Sequence, residues 1–471
     1  MIIIYYYVYT KLITKERSHY FLVNKKMKII IIGGVAAGMS AAAKLKRNKP
    51  EYEVIVYEKT DIVSFGACGL PYFVGGFFDN PNEMIARTSE QFKDSGIDLR
   101  TYHEVIEVNT EKKSILVKDI KNNKTFEDNY DQLMIATGAT PIIPPIENVK
   151  LDNVLTLKSM NDGIKLKSIL AKEEIKNIVI IGAGFIGIEV LEAAHRLKKN
   201  ITMVQIEDRI MPNVFDHQIT DILQEEIKKH NINLKLNEAV TKFIGTTKIE
   251  KVVTSKGNEI PADLVIIATG FRPNTSFIED TNINMLSNGA IIVDEYGRTS
   301  IDDIYAAGDC ASIKHLVTNN DVYVPLATGA NKLGRIVGEN LSGAHIKFPG
   351  SLNSSCIKVM NMEAVCTGLT ESQAKKLGIN YRTKFIKDYN QTTYYPGRND
   401  IYVKLIYHAE TKKILGGQIA GYKDAVQRGN VLAACIAGNM TTAQLGMLDL
   451  CYAPPFSRTW DVLNVAGNIS K

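Results

Sequence analysis

One pattern occurs twice in this chain and limits the folds open to it: an apolar strand, a glycine-rich turn and a helix in immediate succession. Lys28-Ile29-Ile30-Ile31-Ile32 runs into Gly33-Gly34-Val35-Ala36-Ala37-Gly38 and then into the helix-forming stretch Met39-Ser40-Ala41-Ala42-Ala43-Lys44-Leu45. Asn177-Ile178-Val179-Ile180-Ile181 likewise runs into Gly182-Ala183-Gly184-Phe185-Ile186-Gly187. Continuous apolar runs of this length suit parallel strands covered by helices on both faces. The glycines let a diphosphate approach the backbone, and the helix N-terminus offers it unpaired N–H groups. In the first unit a second strand, Glu53-Val54-Ile55-Val56-Tyr57, ends in Glu58, an acid about twenty residues on and suited to ribose hydroxyls. Val35 replaces the middle glycine there, whereas the second unit keeps all three. After the second unit the strand Ile201-Thr202-Met203-Val204 reaches Gln205, Ile206 and Glu207, so the matching acid is displaced by two residues or missing. Two such units predict one tightly held flavin and one exchangeable nicotinamide, with NADH and NADPH both open.

A short way past the first unit lies Ser64-Phe65-Gly66-Ala67-Cys68-Gly69-Leu70-Pro71-Tyr72, with no further cysteine until Cys310. A cysteine just before a helix that carries Pro71 in its first turn is expected to have its thiolate stabilised by unpaired backbone N–H groups. The six cysteines include no CxxC pair, which argues against a disulfide framework or zinc site and for a reducing, cytoplasmic compartment. With 45% hydrophobic and 23% charged residues the chain reads as globular, and 471 residues suffice for about three domains. A net charge of +5 and a single tryptophan provide neither a basic stripe nor a stacking platform for nucleic acid. The apolar start, Met1 to Tyr9, is too short to span a membrane and lacks a basic flank or cleavage site. Because Met27 directly precedes the first strand, residues 1–26 are expected to be a disordered or artefactual extension.

Further motifs carry a family resemblance. Ile135-Ala136-Thr137-Gly138 and Ile267-Ala268-Thr269-Gly270 resemble the chain crossings between the FAD and NAD domains of disulfide-reductase-type flavoproteins. Ile304-Tyr305-Ala306-Ala307-Gly308-Asp309 is similar to that family's second FAD motif, which implies that Asp309 accepts hydrogen bonds from the flavin's ribityl chain. Pro325-Leu326-Ala327-Thr328 resembles the segment whose backbone amides face the flavin pyrimidine edge. The chain lacks the CxxxxC pair of glutathione-reductase-like members. Its SFGACGLPY segment is instead similar to the single-cysteine branch of coenzyme A disulfide reductases, NADH oxidases and NADH peroxidases, and the resemblance runs from Met27 to Lys471.

A single thiol can take two electrons from a flavin only as a mixed disulfide or by way of a sulfenic acid. In the oxidases and peroxidases a histidine usually sits in the first glycine-rich loop, and Val35-Ala36-Ala37 contains none. The disulfide reductases use tyrosines from the partner subunit, and the resemblance points to Tyr452 and to Tyr394 in preference to Tyr395. Lys44, Arg47 and Ser64 match positions that would meet coenzyme A. The resemblance therefore implies an α/β protein with two Rossmann-like domains. FAD binding is expected at 27–145 plus 272–345, NAD(P)H binding at 146–271, and an α+β dimerisation domain at 346–471. It implies a homodimer that uses FAD and NADH or NADPH to reduce coenzyme A disulfide, or a related small disulfide, through a coenzyme A mixed disulfide on Cys68. An NADH oxidase or peroxidase, a persulfide or polysulfide reductase, and an electron-transfer flavoprotein reductase are the alternatives. No membrane or nucleic-acid partner is expected.

Overall fold

A computed structural model describes residues 26–471, so the expectation for residues 1–25 lies outside the described residues. The chain runs β1 (Lys28–Ile32), α1 (Ala36–Asn48), β2 (Glu53–Glu58), α2 (Leu70–Val74), β3 (Asp98–Thr101), β4 (Gln132–Ile135) and β5 (Ala139–Pro141). It continues through β6 (Val154–Leu155), β7 (Asn177–Ile181), α3 (Phe185–Arg196), β8 (Asn200–Val204), β9 (Asn233–Lys235), β10 (Leu264–Ile267) and β11 (Phe271–Pro273). After β12 (Ile304–Ala306) and α4 (Ala327–Leu341) come β13 (Ser355–Val359), β14 (Met362–Gly368), β15 (Tyr381–Tyr389), β16 (Asp400–His408) and β17 (Ile414–Gly421). Helices α5 (Ala425–Ala437) and α6 (Val462–Ile469) close the chain.

Both sequence units become parallel five-stranded sheets. The first has the order β12-β4-β1-β2-β3, with Lys28 opposite Glu53 and Ile32 opposite Tyr57. The second has the order β9-β8-β7-β10-β6, with Asn177 opposite Asn200. The isoleucines of β1 are buried on both faces, as a central parallel strand requires. Strands β5 and β11 pair antiparallel, Thr140 opposite Arg272, so the two chain crossings lie side by side. The third sheet, β13-β14-β17-β16-β15, is antiparallel and carries α5 on one face. These elements establish an α/β fold with two Rossmann-like units and a C-terminal α+β unit.

Close helix contact shapes the first unit. Helix α4 lies against α1 at Gly334 and Gly338, where an added Cβ would come within 2.5 Å of the Ala37 and Ala41 carbonyl oxygens respectively. A buried ionic cluster ties the second unit to the third. Lys404 on β16, 1% exposed, reaches Glu371 at 2.6 Å, Gln218 at 2.8 Å and Asp216 at 3.1 Å. Asp216 in turn accepts from the Gln418 side chain and from the Glu371 and Ser372 backbone N–H groups. Such a cluster is tolerated because its one cation meets both carboxylates, one of them partly exposed, and the lone pairs of Asp216 are hydrogen-bonded.

Candidate active site

The first glycine turn is built for an anionic ligand. Gly33 adopts φ +107°, and a Cβ there would lie 2.2 Å from the Ala136 carbonyl oxygen. A Cβ at Gly38 would lie 1.9 Å from the Gly33 oxygen, so α1 can start this close to β1 only with glycine. Glu58 accepts from the Gly34 N–H at 2.8 Å and from the Thr60 N–H and hydroxyl through its other oxygen. Val35 and Ala36 open α1 with no side-chain cap and no acid in the first turn. Helix α4, which starts at Pro325-Leu326-Ala327-Thr328, is open in the same way. Five other helices carry full capping boxes, at Thr88, Ser159, Thr370, Thr441 and Asp461. The N–H groups at the two open ends are thus free for a ligand. Thr137 exchanges hydrogen bonds with Asn274 at the crossing, beside Gly138. Asp309, next to Gly308, lies 3.6 Å from Lys158. The Tyr323 hydroxyl, in the field of Asp309, is buried without a partner. The turn, the open helix ends and this orphaned hydroxyl fit FAD.

The second turn repeats the design. Gly182 has φ +100°, a Cβ at Gly187 would lie 2.0 Å from the Gly182 oxygen, and the space beside Gly184 is open. Gly184 heads α3 without a side-chain cap, ahead of Phe185 and Ile186, and Gly270 ends the second crossing. Gln205 occupies the place that Glu58 holds in the first unit: its Oε1 accepts from the Ala183 N–H at 2.8 Å. Its amide nitrogen donates to Glu207, so the displaced acid is drawn back to the strand end through an amide relay. The residues present fit a nicotinamide dinucleotide.

Cys68 joins the two units. It sits on a 3₁₀ turn, Ala67–Gly69, immediately before α2, and its side chain is exposed. Ser64, in the left-handed region at φ +50°, anchors that loop to the first glycine turn: its N–H donates to the Gly34 oxygen at 3.0 Å. Helix α2 leans on α3, where a Cβ at Gly75 would meet Ala193 at 3.2 Å. The thiolate expected from a helix start is opposed here. Partial burial raises the Cys68 thiol, the carboxylates of Glu189 and Asp309 raise it further, and Lys158 pulls it back down. With only five residues, α2 has a small dipole, and burial together with the two acids outweighs it. Glu189 is itself pushed up to about 7 by burial and by Glu192.

The tyrosines come together elsewhere. Tyr394 and Tyr452, 73% and 46% exposed, meet hydroxyl to hydroxyl at 3.4 Å, whereas Tyr395 points its carbonyl at Gln391. Hydrogen bonds from Tyr394 and Thr459 hold Tyr452 below the ordinary tyrosine value, and the same pairing raises Tyr394. No hydrogen bond among the described residues joins either tyrosine to Cys68 within one chain. Of the proposed coenzyme A cations, Lys44 is held by Glu339 at 2.7 Å and Arg47 is exposed. Sequence reading missed Lys158, which carries no local signal. It also passed over Glu189, although this is the first charge on an otherwise apolar start to α3.

Two sheets of dinucleotide-binding type that converge on one exposed thiol define a two-nucleotide oxidoreductase. Residues 27–332 match the pyridine nucleotide-disulphide oxidoreductase family and residues 354–462 its dimerisation domain, and the chain belongs to that family. It is 42% identical over 449 residues to an NAD(P)H coenzyme A polysulfide/persulfide reductase of Pyrococcus horikoshii, covering 95% of this chain and 99% of the relative. A coenzyme A disulfide reductase of Staphylococcus epidermidis is 30% identical over 442 residues, covering 93% and 99%. The structure of an NAD-dependent persulfide reductase from A. fulgidus superposes with a TM-score of 0.91 at 35% identity, covering 94% of this chain and 83% of that one. Among the described residues no helix is long and apolar enough to cross a membrane.

Proposed function

We propose that this protein is a homodimeric, FAD-dependent NAD(P)H oxidoreductase that cleaves sulfur–sulfur bonds attached to coenzyme A, either the disulfide or the persulfide. Cys68, unpaired, exposed and anchored to the flavin turn through Ser64, carries the reading. Relatives named for coenzyme A disulfide and for coenzyme A persulfide support the shared chemistry. FAD, when bound, would supply a hydride acceptor for the nicotinamide and return two electrons to sulfur at Cys68.

The chain's own residues supply the rest. The turns at Gly33–Gly38 and Gly182–Gly187 hold the two diphosphates, with Glu58 and the Gln205–Glu207 relay at the riboses. Asp309, Gly308, Ala136, Thr137 and Gly138 line the flavin side, and Pro325 to Thr328 offer backbone N–H groups. The Cys68 thiolate attacks the substrate S–S bond, forms a mixed disulfide and expels one sulfur as a thiolate. Tyr452 of the partner subunit, assisted by the partner subunit's Tyr394, protonates that leaving thiolate; a phenol below its ordinary value is suited to the task. Two electrons then cleave the mixed disulfide, release the second thiol and restore Cys68. For coenzyme A disulfide, one NAD(P)H and one proton yield two thiols and NAD(P)⁺. Among the described residues no ion pair holds Arg47, which leaves it available to the proposed coenzyme A site, and Lys44 would serve only by leaving Glu339.

The test is oxidation of NADH and NADPH by the flavin-loaded protein, anaerobically with coenzyme A disulfide and with coenzyme A persulfide and, in a separate aerobic assay, with oxygen as the sole acceptor. Fast turnover with a coenzyme A substrate, lost in Cys68→Ser while flavin stays bound, is the expected result. Full activity of Cys68→Ser, or turnover with oxygen alone, would overturn the reading.

A further inference from the structure

Tyr394 and Tyr452 are 58 residues apart in sequence, lie on exposed loops and still share a hydrogen bond. Nothing in their own side chains fixes that encounter. The loops are joined beneath the surface by one guanidinium. Arg428 on α5 has 9% of its side chain exposed, and its Nη2 donates to the Asn390 carbonyl at 2.9 Å and to the Phe456 carbonyl at 3.3 Å. Asn390 lies four residues before Tyr394 and Phe456 four residues after Tyr452. The same guanidinium donates to Asp461 from Nε at 2.9 Å and from Nη2 at 2.7 Å. Asp461 also accepts from the Ser457 hydroxyl at 2.8 Å. Two outer ties add to the brace: Thr392 donates to the Pro454 carbonyl at 3.2 Å, and Arg458 pairs with Asp388.

We propose that Arg428 is a positioning residue that sets Tyr394 and Tyr452 in register, acting through Asp461 and one backbone carbonyl of each loop. This inference rests on the reading that the tyrosine pair serves sulfur–sulfur cleavage. A planar guanidinium makes these four contacts from Nε and Nη2 at fixed angles, whereas an ammonium has three donors on a single atom and falls short of them. Arg428 touches neither hydroxyl, so its effect on the reaction passes through loop geometry alone.

The experiment is a double-mutant cycle, Tyr394→Phe against Tyr452→Phe, read as coenzyme A disulfide turnover by the flavin-loaded dimer, in the parent and in Arg428→Lys. In the parent the two losses are expected to depart from additivity by roughly threefold or more. Arg428→Lys is expected to lower turnover roughly ten- to a hundredfold and to make the remaining tyrosine effects additive. A lysine variant with lowered thermal stability but unchanged coupling, or with parental turnover, overturns the proposal, as does additivity in the parent. If Arg428→Lys does not fold, Ser457→Ala loosens Asp461 more gently; it should shift coupling in the same direction, and unchanged coupling there overturns the proposal. Full turnover by the doubly substituted tyrosine variant in the parent background would instead sink the functional reading, whatever Arg428 does.

Discussion

Lys158 and Glu189 press on the same sulfur from opposite sides of the charge scale. Replacing Lys158 with methionine removes the cation that holds the Cys68 thiol down, so the thiolate fraction at fixed pH should fall. Alkylation of Cys68 by iodoacetamide should slow roughly three- to tenfold, with its pH profile displaced upward; an unchanged or faster rate would show that the lysine acts only on Asp309. A second prediction concerns Tyr452. A phenol that donates a proton works only while protonated, so disulfide turnover should decline as pH rises through the lowered Tyr452 value. Tyr394→Phe removes a hydrogen bond to that oxygen and should move the decline upward, toward the ordinary tyrosine value of about 10. A decline that stays in place in a pH–rate profile would exclude the pairing from catalysis. Cys68 could be read from sequence because an isolated thiol in a glycine-rich segment is conspicuous. Lys158 could not, because its partners Asp309 and Cys68 reach it only through folding.

At the level of elements, the strand–turn–helix units were legible because their demands are local: apolar strands, glycine where backbone meets backbone, and an open helix end. The contact of α1 with α4 was not, since two helices far apart in sequence must choose the same small residues. Gly334→Ala would drive a methyl to 2.5 Å from the Ala37 oxygen and push α4 off the helix that follows the first glycine turn, the proposed flavin site. Overpacking of this kind costs about 1–3 kcal/mol. The expected outcome is a lower melting temperature together with loss of flavin on gel filtration, whereas a variant that retains both would show that the helices can separate without harm. The relay from Ala183 through Gln205 to Glu207 belongs here too, because sequence leaves the acid either displaced to Glu207 or missing, and only the strand end shows Gln205 bridging the Ala183 N–H and Glu207.

Across the whole molecule, the third unit displays Tyr394, Met447, Tyr452, Phe456 and Trp460, each 46–73% exposed. Apolar surface of this kind marks an association site, and the dimerisation domain matched at 354–462 spans all five. Trp460 is the chain's single tryptophan, so its fluorescence reports on that surface alone. Trp460→Glu should yield a flavin-bound monomer by sedimentation, inactive toward the disulfide; a dimer with parental turnover would place the subunit contact elsewhere. The paired crossings β5 and β11 have a different consequence. Because entry and exit of the second unit run side by side, with Thr140 opposite Arg272, its chain connection to the first sheet is a single two-stranded ribbon, and its other ties are side-chain contacts such as those of Asp216 with Lys404 and Gln418. A homologous unit spliced in at those two strands would leave the first sheet unbroken, but it would have to bring its own counterparts of Lys158 and Glu189, so a change of hydride donor by recombination carries the charges around Cys68 with it.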